Sequence, residues 1–247
     1  MESWVYKNKL VMILVLGDGL MATEVIGRTG WQYISRSNDN FDFSNKKTWI
    51  KLIPKETTTI INLIANTDTY NDNRKSMLSV NYNAVCDLVD FCNENKITLI
   101  HYSTDYVYAG SVENANELDI PIPANNWYAY SKLLADEYIM KMSNDYLICR
   151  GSHKLNPFPY PAAWTDQYTN ADYVNKIAKI FIRLIRSNAR GLFNIGTPTK
   201  TIHELASISR NGVEEILAPH HVPKNVTMDL TKMEEYLKLN FEESNLA

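Results

Sequence analysis

Three residues in this chain could act together on one carbonyl group. Thr104 follows an apolar run, and Tyr128 and Lys132 stand four apart in the stretch WYAYSKLLADEYIMKM. Side chains at that spacing share one helix face. Hydride addition to a ketone leaves an alkoxide that needs a proton. A phenol, with a reference pKa of ~10, exchanges protons poorly near neutrality, and a neighbouring ammonium lowers that value by favouring the phenolate. Tyr128 then reads as the acid, Lys132 as its tuner and a ribose ligand, and Thr104 as a donor that orients the carbonyl. A Tyr-x-x-x-Lys pair alone carries little weight: among 15 tyrosines about one arises by chance. The elements that position the three residues must supply the rest.

Leu10 to Leu16 is a continuous apolar run with β-branched members, which predicts a strand buried on both faces. It enters Gly17-Asp18-Gly19-Leu20-Met21-Ala22 and then a helical stretch to about Thr29. This is G-x-G-x-x-A between a strand and a helix. Gly17 permits the tight turn, Gly19 lets a pyrophosphate approach the backbone, and Ala22 permits close helix–strand packing. Gly30 ends the helix, and Trp31 to Ile34 reads as a second strand ending in Ser35-Arg36-Ser37. An NAD site usually places an acid there for the ribose 2′-hydroxyl. Arg36 between two serines suits a 2′-phosphate instead, so NADP(H) is preferred and NAD(H) remains compatible. The bland alternative is a solvated arginine.

Further on, Lys46 to Ile53 predicts a helix stopped by Pro54, and Thr58 to Ile64 a third strand ending in Ala65-Asn66-Thr67. Met77 to Asn95 carries apolar residues at helical spacing, with Asn81 expected to face solvent. Ile97 to Tyr102 is the fourth strand and delivers Ser103-Thr104-Asp105. Trp127 to Met142 is a helix, and Tyr146 to Cys149 a fifth strand ending at Arg150-Gly151-Ser152-His153. The β-α-β alternation predicts an α/β fold, a Rossmann-type doubly wound parallel sheet. Ligands in such sheets lie beyond the carboxyl ends of the strands, where five polar strand ends coincide here. From Lys154 the texture changes, with prolines at 157, 159 and 161, a helix at Val174–Arg186, a strand at Gly191–Gly196, a capping box at Thr201/Glu204 and a last helix at Leu230–Leu239. The expected domains are therefore 1–153 for dinucleotide binding, with returns from about 172–196, and 154–247 mainly as a small C-terminal substrate-binding cap.

Composition excludes several classes. Net charge is −3 with no basic run, which gives nucleic acid and membrane surfaces no electrostatic hold. No apolar run reaches the ~18 residues of a membrane span. The three cysteines, Cys86, Cys92 and Cys149, sit among apolar neighbours and read as reduced thiols in a cytosolic, cytoplasmic protein. The five histidines lack metal spacing, so no metal is expected. His101 reads as an interior residue, and His153 alone could face substrate. Asp105 and Glu117 read first as local hydrogen-bonding groups. No G-x-S-x-G elbow supports a hydrolase.

At Gly17–Ala22, Ser103-Thr-Asp-Tyr-Val-Tyr108 and Tyr128-Ala-Tyr-Ser-Lys132 with Leu133-Leu-Ala-Asp-Glu137, the chain resembles the extended short-chain dehydrogenase/reductase superfamily, within it the dTDP-4-dehydrorhamnose reductase group. Cys149–His153 and Asp229–Lys232 extend the likeness over nearly the whole chain. The resemblance implies NADPH-dependent reduction of the 4-keto group of a nucleotide-linked 4-keto-6-deoxyhexose, in rhamnose-type sugar synthesis. It carries over Thr104, Tyr128 and Lys132 as catalytic. It implies Gly17, Gly19, Leu20 and Met21 at the pyrophosphate, and Arg36 near the 2′-phosphate, where the residues themselves also offer Ser35 and Ser37. Asp42 and Phe43 would lie near adenine, and Leu63, Ala65 and Asn66 near ribose and nicotinamide. Asp105 and His153 fall at sugar-facing positions. The first turn is one residue shorter than the group's usual pattern, and His153 replaces a tryptophan. Related bifunctional epimerase–reductases carry a cysteine where this chain has Val107-Tyr108, and dehydratases a glutamate where it has Tyr106. A non-catalytic regulatory subunit on the same fold is the alternative of another class, as in methionine adenosyltransferase. Pairing into a homodimer through the Met77–Asn95 or Trp127–Met142 helix is also expected.

Overall fold

Runs that are apolar on both faces can be satisfied only inside a parallel sheet covered on both sides, and the computed structural model contains one. It describes residues 4–6, 9–70 and 73–244. The first described strands, β1 (Trp4–Tyr6) and β2 (Lys9–Val11), pair antiparallel. Then come β3 (Ile13–Leu16), α1 (Leu20–Thr29), β4 (Gln32–Ile34), α2 (Arg36–Asp39), α3 (Lys46–Trp49) and β5 (Thr59–Asn62). After these follow α4 (Arg74–Leu78), α5 (Ala84–Asn95), β6 (Thr98–Ser103), α6 (Trp127–Met142) and β7 (Tyr146–Arg150). The later elements are β8 (His153–Lys154), β9 (Ala162–Trp164), β10 (Tyr168–Thr169), β11 (Asp172–Tyr173), α7 (Val174–Arg186) and β12 (Gly191–Asn194). The chain closes with β13 (Lys200–Thr201), α8 (Ile202–Ser209), β14 (Glu214–Ile216), β15 (Asn225–Val226) and α9 (Thr231–Ser244).

The central parallel sheet has six strands in the order β12-β7-β6-β5-β3-β4, a Rossmann-type doubly wound arrangement. Its register pairs Leu16 with both Ile34 and Asn62, and Asn62 with His101. The chain divides into two compact units, one of residues 1–103 and 126–148, the other of 104–125 and 149–247. In the first, Leu14, Val15, Leu16, Ile60, Ile61, Leu99 and Ile100 are buried along the strands. Burying each such side chain contributes about 1.5–3 kcal/mol. Trp49 adds an aromatic cluster with Phe43 and Phe91, its ring N–H donating to Phe43 O at 3.1 Å. The second unit packs Phe158, Ala163, Tyr173, Ile202, Leu205 and Ala206 together, and buries one face of the strongly amphipathic α7. The capping box on α8 forms as expected, with Thr201 and Glu204 exchanging backbone bonds.

Four expectations are corrected. Leu10–Leu16 is not one strand. It breaks at Met12, where β2 turns away to pair with β1, and Thr58 takes over the Met12 backbone: Met12 N–H donates to Thr58 Oγ1 at 3.0 Å, and Thr58 N–H to Met12 O at 2.9 Å. The Met77–Asn95 helix starts earlier, at Arg74 with Asn73 as its cap, and passes through a π-helical segment at Ser79–Asn83 before α5. Asn81 lies in that segment and is buried rather than facing solvent. A π turn rotates side chains off the regular helical face, which simple spacing cannot anticipate. The last helix extends past Leu239 to Ser244.

Candidate active site

In the first unit the glycine turn leaves β3. Gly17 has φ +106°, a left-handed backbone that L side chains rarely adopt, and a Cβ there would lie 3.0 Å from Ile64 Cγ1. Gly19 faces open space and begins α1 without a side-chain cap. The first N–H groups of α1 therefore have no side-chain cap, as a turn that meets a pyrophosphate requires. Leu20 is exposed, whereas the Met21 side chain is buried, so Met21 can serve only through its backbone.

At the end of β4, Ser35 is buried and caps α2, accepting from Asn38 N–H at 3.3 Å. Arg36 is exposed, with no hydrogen bond or ion pair among the described residues. Ser37 Oγ donates to the Asp18 carboxylate, and that bond is the chief reason the Asp18 pKa is lowered. Asp42 holds its own loop, accepting from Ser44 N–H at 3.0 Å, and Phe43 is buried in the aromatic cluster.

The ends of β5 and β6 hold a buried polar chain. Asn62 Oδ1 accepts from Ile64 N–H at 3.1 Å, which turns its amide nitrogen to His101 Nδ1 at 3.2 Å. His101 Nε2 lies 2.8 Å from Lys132 Nζ, and Lys132 Nζ donates to Tyr102 O at 2.8 Å. Burial holds the His101 pKa well below its usual value, with Lys132's charge adding to the effect. Burial likewise lowers Lys132 to about 8, against the opposing pull of Asp136. Asp136 accepts from Ser103 Oγ at 2.9 Å. A second chain fixes the start of α6. Asn66 N–H donates to Asn81 Oδ1 at 2.8 Å, and Asn81 Nδ2 donates to Asn66 O at 2.9 Å and to Ser131 Oγ at 3.0 Å. Ser131 Oγ then donates to Tyr128 O at 2.9 Å. The loop after β5 and the turn that carries Tyr128 are thus one hydrogen-bonded piece.

In the second unit Thr104 Oγ1 accepts from Tyr106 N–H at 3.2 Å and donates to Asp105 Oδ1 at 3.3 Å. Asp105 Oδ2 accepts from Thr169 Oγ1 at 3.2 Å. Burial pushes the Asp105 carboxyl up, opposed by the charge of Lys154. His153 and Lys154 form β8 beside β11. Burial takes His153 down to about 4, with Lys154 adding to the shift. Glu117 has a local role, accepting from Asn194 N–H at 2.8 Å. Burial raises the thiol pKa of Cys86 to about 11 and of Cys92 to about 12, which leaves both inert. Among the described residues no cluster could hold a metal ion, and no helix is long and apolar enough to cross a membrane.

Sequence reasoning overlooked Asp18, Asn62, Ser131 and Asp136, placed Asn81 in solvent, and gave His101 only an interior role. A signal existed for two of them: Asn62 and His101 are polar residues inside otherwise apolar strand runs, and a buried polar group needs a partner.

A doubly wound parallel sheet, a glycine turn at its first central strand and a Tyr-x-x-x-Lys helix define an extended short-chain dehydrogenase/reductase-like protein. The chain belongs to the family described as RmlD substrate binding domain, whose model matches residues 11–155. It is 27% identical over 164 residues to a probable low-salt glycan biosynthesis reductase, Agl14, of Haloferax volcanii. That match takes in 56% of this chain and 54% of the relative, so the chain spans about half the length of the curated relative it matches. Two solved structures share the fold. One is a hypothetical dTDP-4-dehydrorhamnose reductase of Sulfolobus tokodaii, with TM-score 0.77 and 22% identity over 91% of this chain and 94% of that one. The other is the dTDP-4-dehydrorhamnose reductase of Bacillus anthracis in complex with NADP, with TM-score 0.77 and 17% identity over 96% and 100% of the two chains.

Proposed function

We propose that this protein reduces the 4-keto group of a nucleotide-linked 4-keto-6-deoxyhexose, using NADPH in preference to NADH. The observation that carries the reading is Lys132. It is 1% exposed, and its burial depresses its pKa, which costs stability. A chain keeps such a lysine on the helix face of Tyr128 for chemistry rather than for folding. Support also comes from family membership and from the relatives described as reductases. The nicotinamide, when bound, supplies the hydride. The turn at Gly17, Gly19, Leu20 and Met21 binds the pyrophosphate through backbone N–H groups, and Ser35, Arg36 and Ser37 meet the adenosine ribose. Asp42 and Phe43 border the adenine, and Leu63, Ala65 and Asn66 border the nicotinamide ribose. Tyr128 delivers the proton to the alkoxide, Lys132 holds a ribose hydroxyl and tunes Tyr128, and Thr104 orients the carbonyl. Asp105 and His153 contact the sugar. Residues 1–153, with 172–196, serve the dinucleotide, and 154–247 mainly the sugar nucleotide. We assign the protein to the cytoplasm, as a homodimer.

The test is coupled oxidation of NADPH with dTDP-, UDP- and GDP-linked 4-keto-6-deoxyhexoses. Turnover on at least one supports the reading, and no turnover on any rejects it.

A further inference from the structure

The corner beyond β4 carries charge of both signs, and the two signs are held differently. Arg36 is exposed and unengaged among the described residues. Asp18, on the neighbouring glycine turn, is fastened: Ser37 Oγ donates to its carboxylate, and Ser35 Oγ stands 3.0 Å from Ser37 Oγ. The Ser35 N–H is taken by Asp39 Oδ2 at 2.9 Å. The Ser37 hydroxyl, which sequence alone offers as a donor to a 2′-phosphate, is therefore already committed to a carboxylate, while Arg36 stays unengaged among the described residues. An ionised carboxylate has about four lone-pair sites. With Ser37 on one of them, Asp18 keeps acceptor capacity for a neutral hydroxyl and repels an incoming dianion.

We propose that Asp18 limits the NADPH preference of this chain and keeps NADH usable: fixed by Ser37, it accepts a ribose hydroxyl of NADH and opposes the 2′-phosphate of NADPH, offsetting part of the attraction of Arg36. The inference rests on the dinucleotide reading given above and deepens it. An acid reaches the ribose corner from the turn after β3, rather than from the usual position at the end of β4.

Asp18→Asn is the informative variant. Its side-chain oxygen still accepts from Ser37, so the turn keeps its bond and loses only the charge. Dissociation constants of NADH and NADPH, read by nicotinamide fluorescence without sugar substrate, give the ratio of the two affinities for wild type, Asp18→Asn and Arg36→Ala. In Asp18→Asn the ratio moves toward NADPH by about tenfold at low salt, and less at high salt, because the removed term is a partly solvated charge interaction. In Arg36→Ala it moves the other way. Wild type and Asp18→Asn binding both cofactors with the same ratio overturns the role of Asp18 while leaving the dinucleotide site intact. Failure of either protein to bind either cofactor overturns that site, and the role of Asp18 with it.

Discussion

The carboxyl ends of β3 and β4 and those of β5 and β6 belong to one sheet, yet they are finished in opposite ways. Beyond β3 and β4, Asp18, Arg36 and Ser37 are exposed, and Gly19 faces open space. Toward the ends of β5 and β6, Asn62 and His101 are buried and joined by hydrogen bonds to each other and to the buried Lys132 of α6. In the proposed function the open end would hold an anion by backbone N–H groups and adjustable surface charge, which would make it tolerant and cheap to change. The closed end accepts the cost of a buried lysine to present one group in one place. Substitutions at the closed end should therefore remove turnover, and those at the open end should adjust binding.

The largest effect is expected from Tyr128→Phe, which keeps the packing and removes the proton donor. Turnover falls by about 10²–10⁴-fold with little change in cofactor affinity. Retention of full activity would end the acid role. Lys132→Met sharpens the contrast further because activity and stability move apart. Turnover falls by about 10²-fold or more, while urea unfolding at pH 7 shows the variant about as stable as wild type or ~1 kcal/mol more stable, since a buried ammonium is no longer needed. The pH dependence fixes the sign. Lys132 is lowered from 10.5 to about 8, so between those values the unfolded chain holds a proton that the folded chain has released. Its contribution to stability therefore rises as pH climbs through that window and is least favourable below it. Lys132→Met should flatten that rise.

Asn81→Ala tests whether the closed end is held from outside. It strands the backbone N–H and C=O of Asn66 and a bond to Ser131, at a cost of about 2 kcal/mol in urea unfolding. Turnover falls as well, because Ser131 bonds the backbone of Tyr128. The smallest effect belongs to the open end. Gly17→Ala forces a side chain into a left-handed backbone against Ile64, costing about 1–2 kcal/mol and weakening cofactor binding more than turnover at saturation.

The sequence made the same division visible. At the open end, Gly17-Asp18-Gly19 between an apolar strand and a helix could be read directly, because backbone conformation at glycine is a local property. α6 was equally legible, starting at Trp127 after its Asn126 cap and ending at Met142. Lys132 was found because Tyr128 precedes it on the helix. Its partners His101 and Asn62 come from other strands, and pairing across a sheet depends on register, which no local pattern fixes. Asn81 was misplaced for a similar reason: the π segment at Ser79–Asn83 turns it inward to Asn66, and the energy that favours this lies in bonds between distant residues. Asp18 went unread because its partner Ser37 is nineteen residues away across a strand–helix–strand unit.

The central claim, reduction at the sugar 4-carbon, is tested most directly by tracing the hydride. NADPH deuterated at the nicotinamide 4-position is turned over with a nucleotide-linked 4-keto-6-deoxyhexose, and the product is examined by proton NMR and mass spectrometry. The account predicts one deuterium per product, at C4 of the sugar, with stoichiometric oxidation of the cofactor. An altered sugar without net cofactor oxidation, or deuterium at any other carbon, would contradict it and point to an epimerase or dehydratase.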